Sequence, residues 1–194
     1  MRYIADTVDF ELKEPTVVTL GKFDGRHRGH QKLLRTMEEV KESLGYATAI
    51  FTFSTAPLTL VTGEIATVIT TSEERRHNME KMGIDYMVEY PFTDDVRKMD
   101  PAVFVKDILV KRMKAKAVVV GPDCSFGYKG AGNVELLRTL SRELGFRLYV
   151  IEKEKDHRRD ISSTYIREEL SRGNVAKANE LLGEPYAIHG IVVH

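Results

Sequence analysis

The sequence predicts an α/β protein: a three-layer α/β/α sandwich around a parallel sheet. Two observations carry this. Short apolar, β-branched runs recur along the chain with segments of helical apolar spacing between them. The runs are continuous rather than alternating, which marks strands covered on both faces, as parallel sheets are. Parallel neighbours need crossovers long enough to hold a helix, and these crossovers turn right-handed.

The first strand is TVVTL at 16–20, which leads through Gly21–His30 into a helix whose inner face is Leu33, Met37, Val40 and Leu44. ATAIFTF at 47–53 is the second strand and IDYMVEY at 84–90 the third. Asp100 and Pro101 read as the N-cap and first residue of a helix running toward Met113. AVVVG at 117–121 forms the fourth strand, and Val134, Leu137, Leu140 and Leu144 give the next helix its buried face. FRLYVIE at 146–152 completes the sheet. Two short helices follow at 163–171 and 175–182, separated by Gly173 as a terminating glycine and Asn174 as an N-cap. In GEPYAIHGIVVH, a turn and the alternating run from Ile188 to Val193 read as the first strand of a further unit. The expected division is one domain over 1–182 and the start of another over 183–194.

Lys and Arg total 29 against 29 Asp and Glu, which disfavours a nucleic-acid partner attracted by bulk charge. Anion binding must then be local. Basic clusters stand at Arg26-His27-Arg28, Arg75-Arg76-His77 and His157-Arg158-Arg159, each of which also fits a solvated surface patch. The N-terminus carries Asp6, Asp9, Glu11 and Glu14 where a signal peptide needs an apolar stretch, and no run reaches membrane-spanning length. A cytoplasmic protein with no membrane partner is expected. Cys124 is the single cysteine, which agrees with a reducing compartment.

Ligands of open parallel sheets bind beyond the carboxyl ends of the strands. There the chain places Gly21–His30, Ser54–Pro57 and Pro122–Gly132. In TVVTLGKFDGRHRGHQKLL a strand enters a glycine turn, then two histidines three residues apart, then a helix. Glycines let the backbone approach a ligand, and a helix N-terminus offers free N–H groups to phosphate. The P-loop and the GxGxxG fingerprint are both absent. GRHRGH instead fits HxGH, a nucleotidyltransferase pattern in which imidazoles stabilise charge developing at an α-phosphate. Helix capping, surface packing or a zinc site are the competing readings of His27 and His30; His77, His157, His189 and His194 complete no zinc motif. In ISSTYIREEL, Ser162, Ser163 and Thr164 crowd a helix start with Arg167 one turn in. That arrangement suits phosphate, and equally an ordinary N-cap beside an exposed arginine.

GKFDGRHRGH, VVVGPDCSFGYKGAG and ISSTYIREEL, in this order and spacing, resemble the prokaryotic bifunctional riboflavin kinase/FMN adenylyltransferase family, also called FAD synthetase. The resemblance implies a Rossmann-like nucleotidyltransferase fold that transfers AMP from ATP to FMN with Mg²⁺, giving FAD and pyrophosphate. His27, His30 and Arg167 then match catalytic positions. Gly21, Phe23, Asp24, Gly25, Ser162, Ser163 and Thr164 match positions that hold ATP phosphates. Pro57, Asp123 and Phe126 match the FMN side. Beside a phosphate, both imidazoles are expected to be cationic. LLGEPYAIHGIVVH resembles the entrance to the family's riboflavin kinase domain, whose remainder, on the order of 100 residues, is expected to be missing here. The chain departs from the family at TFSTAP, where a TFDPHP-like segment is common, and at Cys124 and Ser125, where Phe and Arg are common. A related nucleotidyltransferase with another acceptor, or a non-catalytic nucleotide-binding module, are the alternatives.

Overall fold

A computed structural model describes residues 1–54 and 67–188. Six strands, β1 (Arg2–Ala5), β2 (Thr16–Leu20), β3 (Ala47–Phe53), β4 (Tyr86–Tyr90), β5 (Ala115–Val120) and β6 (Arg147–Val150), form one parallel sheet in the order β1-β4-β3-β2-β5-β6. A two-stranded antiparallel hairpin, β7 (Lys155–Asp156) and β8 (Arg159–Asp160), follows. The five expected strands are all present, with ends within two residues of their sequence positions. β1 is an addition: four residues on the sheet edge are too few to establish a periodicity.

Successive side chains leave a strand on opposite faces, so β2 sends Val17 to one layer and Val18 to the other. Val17, Ile50, Met87, Ala117 and Val119 pack with Leu33, Leu34, Met37 and Val40 of α1 (Arg28–Leu44) and Met79 of α2 (Ser72–Lys81). On the other face Val18, Phe51, Val88 and Val118 meet the helices that follow β4 and β5. Those are the short α3 (Asp94–Arg97), then α4 (Pro101–Val103) running into a π-helical stretch Phe104–Arg112, and α5 (Val134–Leu144). A third, smaller core joins Ile69 and Ile161 to α6 (Ser163–Ser171) and α7 (Val175–Leu182).

Asp100 caps α4 through the Ala102 and Val103 amides with Pro101 at the first turn, as the sequence predicts. The expected helix toward Met113 is present and widens to a π-helix from Phe104. Phe104, Val105, Ile108, Leu109 and Met113 are all buried. At about 3.6 residues per turn Met113 would face away from Phe104. Wider winding, seen where the Met113 amide reaches the Ile108 carbonyl at 2.9 Å, keeps all five in the core.

Candidate active site

From β2 the chain steps outward to β3 and β4, then returns to β5 on β2's other side. Reversal of strand order opens a crevice beyond the carboxyl ends of the two central strands. A pocket of 210 Å³ lies there, lined by Leu20 and Gly21 after β2, His27 and His30 at the start of α1, and Gly121 and Asp123 after β5.

The turn between β2 and α1 is held in an unusual conformation. Phe23, buried against the pocket, has φ of +51°, a left-handed geometry that is uncommon for an aromatic residue and costs backbone strain. Gly25 has φ of +66°, and a Cβ there would stand 2.8 Å from Ile69 Cδ1, so the position accepts glycine alone. The Gly25 amide donates to Thr70 Oγ1 at 3.1 Å.

His27 caps α1: its Nδ1 accepts from the His30 amide at 3.3 Å. His30 Nδ1 lies 2.9 Å from the Gly25 carbonyl oxygen. A carbonyl only accepts, so His30 carries its proton on Nδ1 and, when neutral, presents a bare Nε2. His27, accepting at Nδ1, carries its neutral proton on Nε2. The two differ as donors although their rings stack at 3.6 Å between centroids. Burial pushes the His27 pKa down to about 3, helped by neighbouring His30. Burial likewise lowers His30 to about 4, opposed by the Gly25 carbonyl and Asp24. Without a ligand both imidazoles are therefore neutral at pH 7; the cationic rings expected from the sequence are those of the phosphate complex.

Both folded pKa values lie below the unfolded value of about 6.5. The unfolded chain then binds protons that the folded one refuses, so stability held above about pH 6.5 is lost as pH falls toward 4, by up to about 1.4 kcal/mol per pH unit for each histidine. Urea midpoints at about pH 7 and about pH 5 check this. A His27→Asn/His30→Asn variant is expected to show a flatter loss than the wild type over that range.

Asp24 joins the turn to α6. Only 1% exposed, its Oδ1 accepts from the Ile69 amide at 2.8 Å and the Thr70 amide at 3.1 Å. Oδ2 accepts from Arg167 Nη1 at 2.6 Å, and the Asp24 carbonyl accepts from Ser163 Oγ at 2.5 Å. Ser162 caps α6 through the Tyr165 amide, and Thr164 Oγ1 lies 3.4 Å from Arg167 Nη2. The histidine and ISSTYIR motifs, far apart in sequence, thus meet at one aspartate. Ser163 and Arg167 brace the turn, and neither they nor Ser162 and Thr164 line the 210 Å³ pocket.

A second cavity, of 570 Å³, opens beside the first. Phe53, Phe92, Phe104 and Phe126 supply apolar walls, with Arg97, Lys98 and Lys129 also lining it. The loop from Gly121 to Gly130 walls both spaces: Asp123 and Cys124 face the histidine pocket, Phe126 and Tyr128 the aromatic cavity. Asp123, expected near the nucleotide and the FMN phosphate, thus lines the histidine pocket, and Phe126, expected beside the flavin, lines the aromatic cavity.

Residues 9–165 match the family model described as FAD synthetase. The chain belongs to the FAD synthetase family. It is 33% identical over 180 residues to the bifunctional riboflavin kinase/FMN adenylyltransferase of Listeria monocytogenes, a match covering 92% of this chain and 57% of that protein. To the protein of the same name from Escherichia coli K12 it is 33% identical over 183 residues, covering 94% of this chain and 58% of the relative. The chain thus spans less than two thirds of these relatives. A crystal structure of a Streptococcus pneumoniae protein named macrolide-efflux protein superposes with a TM-score of 0.80 at 26% identity, over 95% of this chain and 70% of that one. Pantothenate synthetase from Thermus thermophilus shares the fold, with a TM-score of 0.50 at 17% identity over 94% of this chain and 81% of that one.

Within this FAD synthetase fold, Pro57 lies outside the described residues, as does the segment from 189. Burial beside Asp123 pushes the Cys124 thiol up to about 12, so it stays protonated and unreactive at neutral pH. Among the described residues, no three His, Cys, Asp or Glu side chains converge to hold a metal, and no helix is long and apolar enough to cross a membrane. Sequence reasoning missed Phe53, Phe92 and Phe104, which read as ordinary core residues, and Ile69 and Thr70, whose backbone amides carry no sequence signal.

Proposed function

We propose that the chain is an FMN adenylyltransferase that transfers AMP from ATP to FMN, giving FAD and pyrophosphate, and acts in the cytoplasm on diffusible substrates. The observation that carries this is the adjacency of the histidine pocket to an aromatic cavity across one loop, in a member of the FAD synthetase family. The nucleotide occupies the first, its phosphates at the N-terminus of α1. The isoalloxazine occupies the second, between phenylalanines, with Arg97, Lys98 and Lys129 as cationic neighbours. An FMN phosphate oxygen attacks the α-phosphorus in line as the bond to pyrophosphate breaks.

His27 offers Nε2–H to a phosphate oxygen while neutral. His30 must gain a proton on Nε2 to donate, and the approaching phosphate charge favours that. Two cations stacked this closely would repel, so one positive charge between the rings suffices. Mg²⁺ is bound mainly through substrate phosphates and keeps several waters, so it enters with ATP as part of the substrate. Ser163 and Arg167 fix the turn through Asp24, and with Ser162 and Thr164 they offer donors at the edge of the triphosphate site.

Incubation with FMN, ATP and Mg²⁺, and separately with riboflavin in place of FMN, followed by chromatography of the flavins, tests the assignment. FAD formed from FMN supports it; no FAD while ATP still binds points to another acceptor or a non-catalytic module. The relatives' names pair this transfer with riboflavin phosphorylation.

The flavin side has its own test. A Cβ at Gly132 would stand 2.4 Å from Phe126 Cε2, so Gly132→Ala must displace that ring. The overpacking is expected to cost about 1–3 kcal/mol of stability. FMN affinity, measured by flavin fluorescence, is expected to fall about tenfold, equivalent to about 1.4 kcal/mol, with ATP affinity little changed. Unaltered FMN binding would place the flavin elsewhere.

A further inference from the structure

Asp24 sits in the glycine turn, where a carboxylate facing nucleotide phosphates would repel them. The structure resolves the conflict by turning the side chain inward, to 1% exposure. Its two oxygens have separate partners: Oδ1 takes the Ile69 and Thr70 amides, Oδ2 takes Arg167 Nη1. Arg167, held tightly at Nη1 and only at 3.4 Å from Thr164 Oγ1 at Nη2, keeps its side chain 30% exposed. A long flexible side chain loses much rotamer freedom when it grips an anion, and anchoring one edge of the guanidinium removes most of that loss in advance.

We propose that Asp24 is a positioning residue that never meets the nucleotide: it holds Arg167 so that the other edge of the fork is presented, already ordered, to the ATP phosphates. This rests on the reading of the chain as an adenylyltransferase that uses Arg167 on the triphosphate.

Asp24→Asn separates the two oxygens. The asparagine carbonyl still accepts from the Ile69 and Thr70 amides, and the backbone carbonyl still receives Ser163. The amide NH₂ now faces the guanidinium, donor against donor, and Arg167 is released. Binding of a non-hydrolysable ATP analogue with Mg²⁺, measured by calorimetry on the intact chain, is expected to weaken about tenfold, with FMN affinity unchanged. Arg167→Ala is expected to weaken it at least as much. The double variant is expected to bind no more weakly than Arg167→Ala alone, because the proposed contribution of Asp24 to analogue binding runs through that arginine, while its charge beside His30 bears on turnover. Additive losses, or an Asp24→Asn variant that binds like the wild type, overturn the proposal.

Arg167→Lys is the second probe, for the case in which Asp24→Asn folds poorly. Lysine keeps an ion pair with Asp24 but lacks the second edge, so analogue affinity is expected to fall while the melting temperature holds. Retained affinity would make the pair structural only. FAD formation by the wild type is read separately: a wild type that binds the analogue yet makes no FAD sinks the adenylyl transfer and leaves the binding cycle to decide the role of Asp24.

Discussion

His30→Ala is expected to lower the rate of FAD formation by roughly 100-fold or more, with the sheet and its helices intact by far-UV circular dichroism. One proton decides this. His30 Nδ1 is committed to the Gly25 carbonyl, so the ring has only Nε2 for a substrate. Nε2 becomes a donor when the imidazole takes up a proton, and charge building on the phosphate is what draws that proton in. A donor that acts as charge develops stabilises the transition state more than the ground state, and removing one such donor costs on the order of 10²–10³ in turnover, about 2.7–4 kcal/mol. ATP affinity should change far less than turnover. An alanine variant that turns over at the wild-type rate would remove His30 from the chemistry. His27 is a less clean target, since the same substitution there also removes the cap of α1, worth about 1 kcal/mol.

Glu89→Ala is expected to destabilise the fold by about 3–5 kcal/mol. Glu89 on β4 and Arg75 on α2 have side chains only 6% and 7% exposed and meet at 2.9 Å. Tyr3 on β1 donates its hydroxyl to the other Glu89 oxygen, and burial together with that carboxylate raises the tyrosine pKa to about 12. Arg75 also donates to Ser72 Oγ and, at 3.3 Å, to the Lys22 carbonyl at the head of the histidine turn. Truncating the glutamate strands a buried guanidinium whose Nε already has no partner. For a chain of this size the loss corresponds to a melting temperature lower by roughly 6–20 °C. A Glu89→Ala variant that melts with the wild type would show that the buried pair contributes nothing. Replacing both partners by apolar residues of similar volume should cost less than the single truncation, because no charge is left unpaired.

These two residues also show what the sequence conveys. Its strands and the helices at 163–171 and 175–182 are legible because each rests on local spacing and capping: Ser162 and Asn174 are the caps found. The histidine turn is legible because its glycines and helix start are contiguous. Arg75 reads as part of a surface cluster, because its partner Glu89 is on another element and nothing in RRH reveals a buried face. Arg26 is a similar case, paired with Glu184 far along the chain. Asp24 could be placed in the turn from sequence but not turned inward, since the amides that it accepts from belong to the far end of the β3–α2 connection. The aromatic cavity stayed hidden for a related reason: its phenylalanines come from β3, the segment after β4, the π-helix and the β5–α5 loop.

The loop shared by the two cavities is the place where binding of the proposed nucleotide and the proposed flavin would be coupled. Whatever the first ligand does to that wall enters the binding equilibrium of the second. Linkage requires reciprocity: if bound nucleotide changes flavin affinity by some factor, bound flavin changes nucleotide affinity by the same factor, in the same direction. A substitution in the loop that alters this factor would therefore do so identically whichever ligand is titrated first.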